Sequence, residues 1–498
     1  MTKSLREYQL NARHWSNTQF NQHVHHALVM PAGSGKTVTA CNIIADRISL
    51  KNRILVLCGT EEIFDQWIAQ CSELNIDYGY INPEGVIGRG KSVYICMWQS
   101  LINILDALPE KFCKSISEII TDETHHSGSP TLENIYDHFG NAIRLGLTAT
   151  LYRMDNKPLG KYYTKFYEPI KQTEAIKRGF LCHPVIIIPD EYKNNIPTAD
   201  EITKQSPGEK TERRKIIKDK KIIGDMIGLY AQVFNGALCM IPCSSISHAA
   251  LVAEMYRAEG WKVEHLSGTM NKAERRRIIR QARQGKINII TTYAVGTEGL
   301  DVPNIAGVIW MRFTESLVVW IQMNTRAARK HGKKKFYILV DPVGNTVIHG
   351  RPDIDRKWSL ETEYIPAAIS DDVPQMRICP QCDTANSCQN EKCWICGYDF
   401  VEGLPVDKKK RKMPKFIDGE LVWLDSCENE NNGGGENGNE KQNQSGKDNR
   451  CDNNNGGDNC NNNHEANRLT RAEKMEILKR DLTGLRHKTK FRDGIKWI

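Results

Sequence analysis

A glycine-containing segment near the start of the chain has the residue types that bind phosphate. Residues 31–37 read PAGSGKT, follow the apolar run 27–30 and precede a helical pattern over 37–48. In such a strand, loop and helix, backbone N–H groups can surround phosphate oxygens at the start of the helix. The loop consists of Pro31, Ala32, Gly33, Ser34, Gly35, Lys36 and Thr37. We predict a nucleotide-phosphate site here, and a glycine-rich turn that binds no nucleotide is the alternative.

Individual residues of this loop have separate chemical roles. Gly33 and Gly35 let the backbone turn inward, Lys36 supplies a positive charge to the β- and γ-phosphates, and the Thr37 hydroxyl can ligate Mg²⁺. Met30 stands where the generic pattern has its first glycine.

Two adjacent carboxylates follow another apolar run, in the segment SEIITDETHH of residues 117–126. Phosphoryl transfer to water needs one acid that holds the metal ion and a second that orients and deprotonates the water. We assign these roles to Asp122 and Glu123 respectively. The alternative is an acidic pair that only caps a loop.

A cysteine cluster near residue 390 has the spacing of a zinc site. Cys379 and Cys382 form one CxxC pair and Cys393 and Cys396 form a second, and ten residues separate the pairs. Four thiolates on two tight turns suit tetrahedral Zn²⁺, so we predict a zinc ribbon rather than metal-free or redox-active turns. Whether the zinc is purely structural or the ribbon also contacts DNA stays open.

Elements that alternate along the chain must position these groups. Short apolar runs alternate with amphipathic stretches twice, which predicts two tandem α/β domains with parallel sheets. An Asn/Gly-rich stretch near the C-terminus cannot bury enough apolar surface to offset its chain entropy, so we expect it to be disordered. The predicted order is a first domain over 1–189, a charged connector over 190–224, a second domain over 225–345, a linker over 346–376, the zinc ribbon over 377–402, a basic linker over 403–427, the disordered stretch over 428–467 and a basic segment over 468–498.

Composition limits the class of protein. The 498 residues include 68 Lys and Arg against 60 Asp and Glu, a net charge of +8, which permits a polyanionic partner without requiring one. No apolar run is long enough to cross a bilayer, no secretory signal is readable, and most of the 16 cysteines are scattered through apolar segments. We therefore expect a cytoplasmic protein that does not span a membrane. The basic run 408–412 could neutralise phosphates or be a solvated linker.

At the phosphate loop and the acidic pair the chain resembles the superfamily 2 helicases and translocases, the DEAD/DEAH-like motors. The resemblance continues through most of residues 1–345. In the first domain it implies that Gln9 reads adenine, that His125, Thr148 and Thr150 couple hydrolysis to movement, and that three residues contact nucleic acid. Those three are Thr60, Gln99 and Ser100.

The resemblance extends to the second domain. LSGTM (residues 266–270) and TTYAVGTEGLDVP (residues 291–303) resemble two further motifs, and WIQMNTRAARK (residues 320–330) resembles the Q-x-x-G-R-x-x-R element. They imply nucleic-acid contacts from Ser267, Gly268 and Thr292, a nucleotide contact from Gly299 and Asp301, and catalytic roles for Gln322, Arg326 and Arg329. The two arginines lie three residues apart on one helix face, from which they could stabilise transition-state charge as arginine fingers. Thr325 stands where glycine is usual, which leaves the local loop geometry open.

The resemblance implies two RecA-like P-loop domains that use ATP and Mg²⁺ to move along or unwind nucleic acid. DETHH, and LTAT followed by LYRMD, resemble the branch of restriction motors and repair translocases, which favours DNA over RNA. An RNA helicase, a motor subunit of a restriction, defence or repair complex, and an ATP-bound nucleic-acid sensor are the alternatives. The C-terminal segment is a further candidate for contact with a protein partner or nucleic acid.

Overall fold

The structure is a computed structural model, and most of residues 4–425 are described by it. The described residues are 4–189, 219–268, 270–293, 300–367, 376–382, 384–388, 390–403, 412–417 and 420–425. The predicted disordered stretch 428–467, the basic segment 468–498, most of the connector 190–224, the basic residues 408–411 and Gly299 lie outside the described residues. All described residues belong to one compact unit, Met1–Glu430.

The first lobe is an eight-stranded sheet flanked by helices. Apolar runs form its central strands because both faces of the sheet are covered, and all five residues of Ile54–Cys58 and of Glu118–Asp122 are buried. The strands are β1 His26–Val29, β2 Ile54–Cys58, β3 Tyr78–Asn82, β4 Gly85–Ile87, β5 Val93–Met97, β6 Glu118–Asp122, β7 Ile143–Thr148 and β8 Lys165–Tyr167. Their order is β4-β3-β5-β2-β6-β7-β1-β8, and every pair is parallel except β3 with β4.

Seven α-helices belong to the described part of this lobe. They are α1 Glu7–Asn21, α2 Lys36–Ser49, α3 Glu61–Glu73, α4 Trp98–Leu101, α5 Glu110–Cys113, α6 Pro130–His138 and α7 Gln172–Lys177. Two 3₁₀ helices, Ile102–Ala107 and Thr124–His126, lie between them. Thr60 begins α3 by accepting a hydrogen bond from the Ile63 N–H, and Ser129 begins α6 in the same way at the Leu132 N–H.

The second lobe is a six-stranded, fully parallel sheet. Its strands are β9 His183–Ile187, β10 Cys239–Pro242, β11 Val263–Leu266, β12 Ile289–Thr292, β13 Gly307–Ile309 and β14 Phe336–Val340, in the order β11-β12-β10-β13-β14-β9. Its helices are α8 Lys220–Val233, α9 Ile246–Ala258, α10 Lys272–Arg283, α11 Leu317–Ala327 and α12 Asn345–His349. Two parallel α/β lobes are the fold that the alternating pattern predicted.

Strand β9 requires a correction to the predicted domain limits. The sequence placed it within the first domain over 1–189, but it pairs with β14 in register from His183 opposite Phe336 to Ile187 opposite Val340. Ile186 and Ile187 are buried in the second lobe's core. The chain therefore crosses between lobes before β9, because an apolar strand gives no indication of which sheet it joins.

The predicted linkers are packed segments. Within 346–376, Leu360 accepts a hydrogen bond from the Gly160 N–H at 2.8 Å, and the Trp358 ring lies 5.7 Å from that of Tyr152. Within 403–427, Lys412–Ile417 and Glu420–Asp425 pair as two antiparallel strands, and Phe416 packs into the second lobe's core. The described parts of both segments are held against the lobes by Trp358, Leu360 and Phe416.

Strands β15 Met376–Ile378 and β16 Ala385–Ser387 form a small antiparallel pair beside the cysteine cluster. Across the described ranges, none of the helices combines the length and apolar character that a bilayer crossing requires.

A buried ion pair fixes α2 to β6 in the first lobe. Arg47 Nη2 lies 2.5 Å from Glu118 Oε1, and the two side chains are 7% and 3% exposed. Burial raises the pKa of Glu118, and the Arg47 guanidinium opposes that rise. Removing the arginine would leave a carboxylate buried without its partner.

We expect Arg47→Met to lower the first lobe's free energy of unfolding by about 3–5 kcal/mol, because an uncompensated buried charge is costly. Urea denaturation followed by tryptophan fluorescence measures the change. Lys91→Met is the control, since the partner of Lys91, Asp77, is 73% exposed and such a pair contributes about 1 kcal/mol or less. Equal losses in the two variants would contradict the assignment.

Candidate functional site

The phosphate loop connects β1 to α2 and needs glycine at two positions. Gly33 and Gly35 have φ of +85° and +93°, in the left-handed region that favours glycine. A Cβ on Gly35 would lie 2.5 Å from Gln9 Nε2. The backbone can therefore turn inward here, as the sequence predicted.

Helix α1 brings Gln9 against this loop. Its Nε2 donates to the backbone oxygens of Ser34 and Gly35 at 3.4 Å each, and its Oε1 accepts from the Arg6 N–H at 2.9 Å. Tyr8, which the sequence analysis missed, donates its hydroxyl to Ser34 O at 2.6 Å. Gln9, which was predicted to read adenine, therefore packs against the phosphate loop.

The acidic pair ends β6 opposite the loop. Asp122 Oδ2 accepts a hydrogen bond from Trp67 Nε1 at 2.9 Å, and Asp122 is buried. Burial, and then the negative charge of Glu123, raise the pKa of Asp122 to about 6, while Lys36 and the Trp67 indole oppose the rise. Trp67 was missed because a tryptophan at an apolar helix position is indistinguishable from a core residue in sequence.

Glu123 makes a polar cluster with residues of both lobes. Its φ of +48° is left-handed, which is strained for a residue with a Cβ and is characteristic of functional sites. Glu123 Oε2 lies 3.5 Å from His125 Nδ1 and 3.4 Å from Gln322 Nε2 of the second lobe. Gln322 Nε2 is also 3.3 Å from His125 Nε2. Three residues predicted for catalysis and coupling therefore meet across the cleft.

Arg326 lies in the last turn of α11, but Arg329 follows the end of that helix, so the two arginines do not share one helix face as the sequence predicted. Arg329 forms an ion pair with Asp301, and Arg283 Nη2 contacts the same carboxylate at 2.9 Å. Burial lowers the pKa of Arg329, and the charges of Asp301 and Glu123 oppose that shift. A Cβ built on Gly33 would lie 3.5 Å from Arg329 Cγ, so this side chain reaches the phosphate loop across the cleft.

Arg326 and Thr325 lie at the end of the same helix. Arg326 Nη1 donates to Leu300 O at 3.4 Å. The Thr325 hydroxyl donates to Gln322 O at 2.9 Å within α11. The threonine is accommodated inside the helix, and the helix continues to Ala327.

A cavity of about 550 Å³ lies between the lobes and collects most of the predicted nucleotide residues. Ten of its lining residues were predicted from the sequence: Ala32, Gly33, Gly35, Lys36, Thr37, Asp122, Glu123, Asp301, Arg326 and Arg329. Four further predicted residues do not line the cavity but neighbour residues that do: Gln9, Pro31, Ser34 and Gln322. The Ser34 hydroxyl donates to Pro31 O at 2.6 Å. Arg6, Gln66, Gln70, Phe180 and Lys330 also line the cavity and were missed, because they belong to no phosphate motif.

The predicted coupling threonines close a turn after β7. The Thr148 hydroxyl donates to Thr150 O at 2.6 Å and accepts from the Thr150 N–H at 3.0 Å. This turn follows the strand next to β1, beside the phosphate loop.

The predicted nucleic-acid residues follow the carboxyl ends of parallel strands in both lobes. Thr60 follows β2, Gln99 and Ser100 follow β5, Ser267 and Gly268 follow β11, and Thr292 ends β12. Gln99 Nε2 donates to Gly59 O at 2.9 Å, which joins the first two of these loops. Ser267 and Thr292 are buried, whereas Gln99 and Gly268 are exposed.

The four predicted zinc ligands are gathered in one cluster. The Sγ atoms of Cys379, Cys382, Cys393 and Cys396 all lie within 4.8 Å of one another. Two Sγ pairs are 3.6 Å apart, close to the roughly 3.8 Å that tetrahedral Zn–S bonds of about 2.3 Å imply. These thiol groups therefore fit one Zn²⁺.

The ribbon packs on the second lobe beside β9. Arg351 Nη1 donates to Ala385 O at 2.7 Å, and the same guanidinium pairs with Asp353 at 2.8 Å. The Trp394 ring lies 4.7 Å from that of His183. A change in the ribbon would therefore reach the lobe through a buried polar network.

Comparisons with known proteins divide the chain in the same two parts. The type III restriction enzyme res subunit family matches residues 2–153, and the helicase conserved C-terminal domain family matches residues 221–331. The 51.5 kDa protein of a Lactococcus phage is 26% identical over 399 residues, which are 79% of this chain and 81% of that protein. The ATP-dependent DNA helicase uvsW of Enterobacteria phage T4 is 22% identical and matches 68% of this chain and 69% of its own length.

A solved structure supports the fold. A fragment assigned as the HsdR subunit of a type I restriction enzyme from Vibrio vulnificus superposes with a TM-score of 0.55 at 20% identity. The match covers 68% of this chain and 64% of that fragment.

We expect about one Zn²⁺ per chain in protein purified without chelator, because the four thiolates complete a tetrahedral site. Elemental analysis measures the ratio. Cys393→Ser should lower it to near zero, whereas Cys388→Ser should leave it unchanged, since Cys388 is exposed and outside the cluster. Metal-free protein from the unmodified chain would remove the zinc assignment.

Proposed function

We propose a function for this chain from its family: it belongs to the superfamily 2 helicases and translocases, in the branch of restriction motors and repair translocases. It is an ATP-dependent helicase or translocase that acts on nucleic acid. We propose that duplex DNA is its track. The observation that carries the mechanism is the cavity that the phosphate loop lines from one lobe and the arginines line from the other.

The first lobe would hold the nucleotide's phosphates. Gly33 and Gly35 direct backbone N–H groups inward, and Lys36 adds a positive charge to the same wall of the cavity. Thr37 and Asp122 are the residues that would hold Mg²⁺. The raised pKa of Asp122 means that protein groups compensate its charge only in part, which fits a carboxylate that binds a divalent cation. When bound, Mg²⁺ would neutralise phosphate charge.

Glu123 would orient the attacking water and accept its proton. Gln322 and His125 hold the Glu123 carboxylate, since both lie within 3.5 Å of its Oε2. Because Gln322 belongs to the second lobe, the position of the base depends on closure of the cleft. This dependence links hydrolysis to the relative position of the lobes.

Arg329 and Arg326 would stabilise the charge that develops on the γ-phosphate. Arg329 already reaches the phosphate loop, and its pairing with Asp301 fixes its direction. Such a group acts most strongly in a site from which water is excluded. The arginines can serve this role only while both lobes face the same nucleotide.

Two observations support DNA as the track. The T4 relative is named a DNA helicase, and the sequence motifs resemble the restriction-motor branch. The net charge of +8 suits a polyanion of either kind. The loops after β2, β5, β11 and β12 would contact phosphates and sugars, which allows movement without sequence preference. The zinc ribbon would be a structural addition to the second lobe.

Steady-state ATP hydrolysis tests the proposal directly. It is measured with no nucleic acid, single-stranded DNA, duplex DNA and RNA in parallel. We expect the strongest stimulation with duplex DNA, and we expect Lys36→Ala to lower the stimulated rate about a hundredfold or more, because it removes a charge at the transferred phosphate. Lys114→Ala is the control, since the Lys114 side chain is 72% exposed and distant from the loop in sequence.

Other outcomes lead to other functions. Stimulation by RNA alone would make the chain an RNA helicase, and nucleotide binding without turnover on any track would make it an ATP-bound sensor. Displacement of a labelled strand then separates unwinding from translocation.

A further inference from the structure

Lys334 is buried beside the end of α11 and has no carboxylate partner among the described residues. Lys334 is 6% exposed, and its Nζ donates to three backbone oxygens. These are Pro303 O at 3.2 Å, Ile305 O at 2.8 Å and Ala327 O at 2.9 Å. All three ammonium donors therefore have an acceptor.

The three acceptors belong to the two segments that carry Arg329 and Asp301. Ala327 is the last residue of α11 and lies two positions before Arg329. Pro303 and Ile305 lie two and four positions after Asp301. One buried ammonium thus joins the backbones of both partners of the ion pair that faces the nucleotide cavity.

Neighbouring contacts leave this region little freedom. The Cys182 N–H donates to Ala328 O at 2.7 Å, and Cys182 Sγ lies 3.4 Å from Lys334 O. Lys330 Nζ also donates to Lys334 O at 2.8 Å. The carbonyl at the end of α11 carries the partial negative charge of a helix C-terminus, which stabilises a cation there.

We propose that Lys334 is a positioning residue, which holds Arg329 and Asp301 in their working arrangement at the nucleotide cavity. The inference rests on the proposed role of Arg329 in hydrolysis. Lys334 itself lies behind the cavity and does not line it. Its effect on Arg329 therefore passes through the backbone that follows Ala327.

Lys334→Met tests the role because methionine keeps most of the side-chain volume and removes all three donors. We expect kcat to fall about ten- to a hundredfold, the range that follows from displacing a catalytic group by roughly 1 Å. The KM for ATP should change less than about twofold, because the phosphate loop that binds ATP belongs to the other lobe. Lys335→Met is the matched control, since Lys335 is adjacent and exposed.

A binding measurement gives a second readout. Affinity for ADP with aluminium fluoride, which imitates the transferred phosphate, should fall in Lys334→Met, while affinity for a fluorescent ATP analogue should not. Equal losses for both ligands would overturn the inference. This readout remains valid if the chain shows no turnover, a result that would reject the proposed function alone.

A double-mutant cycle separates positioning from a general structural effect. In an Arg329→Gln background, adding Lys334→Met should lower kcat less than about twofold further, because its target is already absent. A loss as large as in the unmodified background would overturn the inference.

The pH dependence of the unmodified chain keeps the test valid if Lys334→Met fails to fold. Burial, opposed by Cys182 and assisted by Lys330 and Arg329, lowers the pKa of Lys334 from 10.5 to about 8. We expect kcat to fall as pH rises through about 8, since the neutral amine loses a donor and its charge. Arg329→Gln should lack this alkaline fall, and an unchanged kcat up to pH about 9.5 would overturn the inference.

A loss of stability caused by deprotonation of Lys334 cannot produce the same fall in kcat. Between pH 8 and 10.5 the unfolded chain binds more protons at Lys334 than the folded chain does. The contribution of Lys334 to the free energy of unfolding therefore rises with pH in this window.

Discussion

The contact of Glu123 with Gln322 joins two lobes that each have a hydrophobic core of their own. Much of the interface across the cleft is polar and partly exposed. Arg275 of α10 lies 2.7 Å from Glu62 of α3, and the neighbouring pair of Arg276 with Asp65 is 3.5 Å apart. Partly exposed pairs of this kind contribute about 1 kcal/mol or less each, because water replaces them at little cost. These ion pairs therefore hold the lobes together only weakly across the cleft.

A second contact region between the lobes is apolar. The segment 350–367 packs apolar side chains between the lobes: Trp358 and Leu360 pack on the first lobe's core, and Trp358 and Tyr364 contact Tyr152 in the second lobe's core. Separating such aromatic contacts costs more than separating exposed ion pairs, since their apolar surface would return to water. This segment therefore holds the lobes together more strongly than the exposed ion pairs do. The segment that the sequence predicted to be a linker thus packs against both lobes.

The sequence predicted groups of residues that lie close together along the chain, but it did not predict contacts between residues far apart along the chain. The phosphate loop, the acidic pair and the four cysteines combine residue type with tight spacing, and the structure places each group together in one cluster or cavity. Strand β9 was assigned to the wrong lobe because its pairing with β14 connects residues about 150 positions apart. Trp67 and Lys334 were missed for the same reason, since their partners are a distant carboxylate and distant backbone oxygens that no local pattern reveals.

Burial acts in opposite directions on the charged groups that face the cavity, and this links nucleotide binding to closure. It raises the pKa of Asp122 and lowers the pKa of Arg329, so each group holds its charge at a cost in solvation. A phosphate with its metal ion carries complementary charges for both, but the two groups belong to different lobes. Both costs are offset together only when the lobes enclose the same ligand. With ATP bound as proposed, the charges at the site would therefore favour closure, and loss of the γ-phosphate would remove part of the compensation for Arg329.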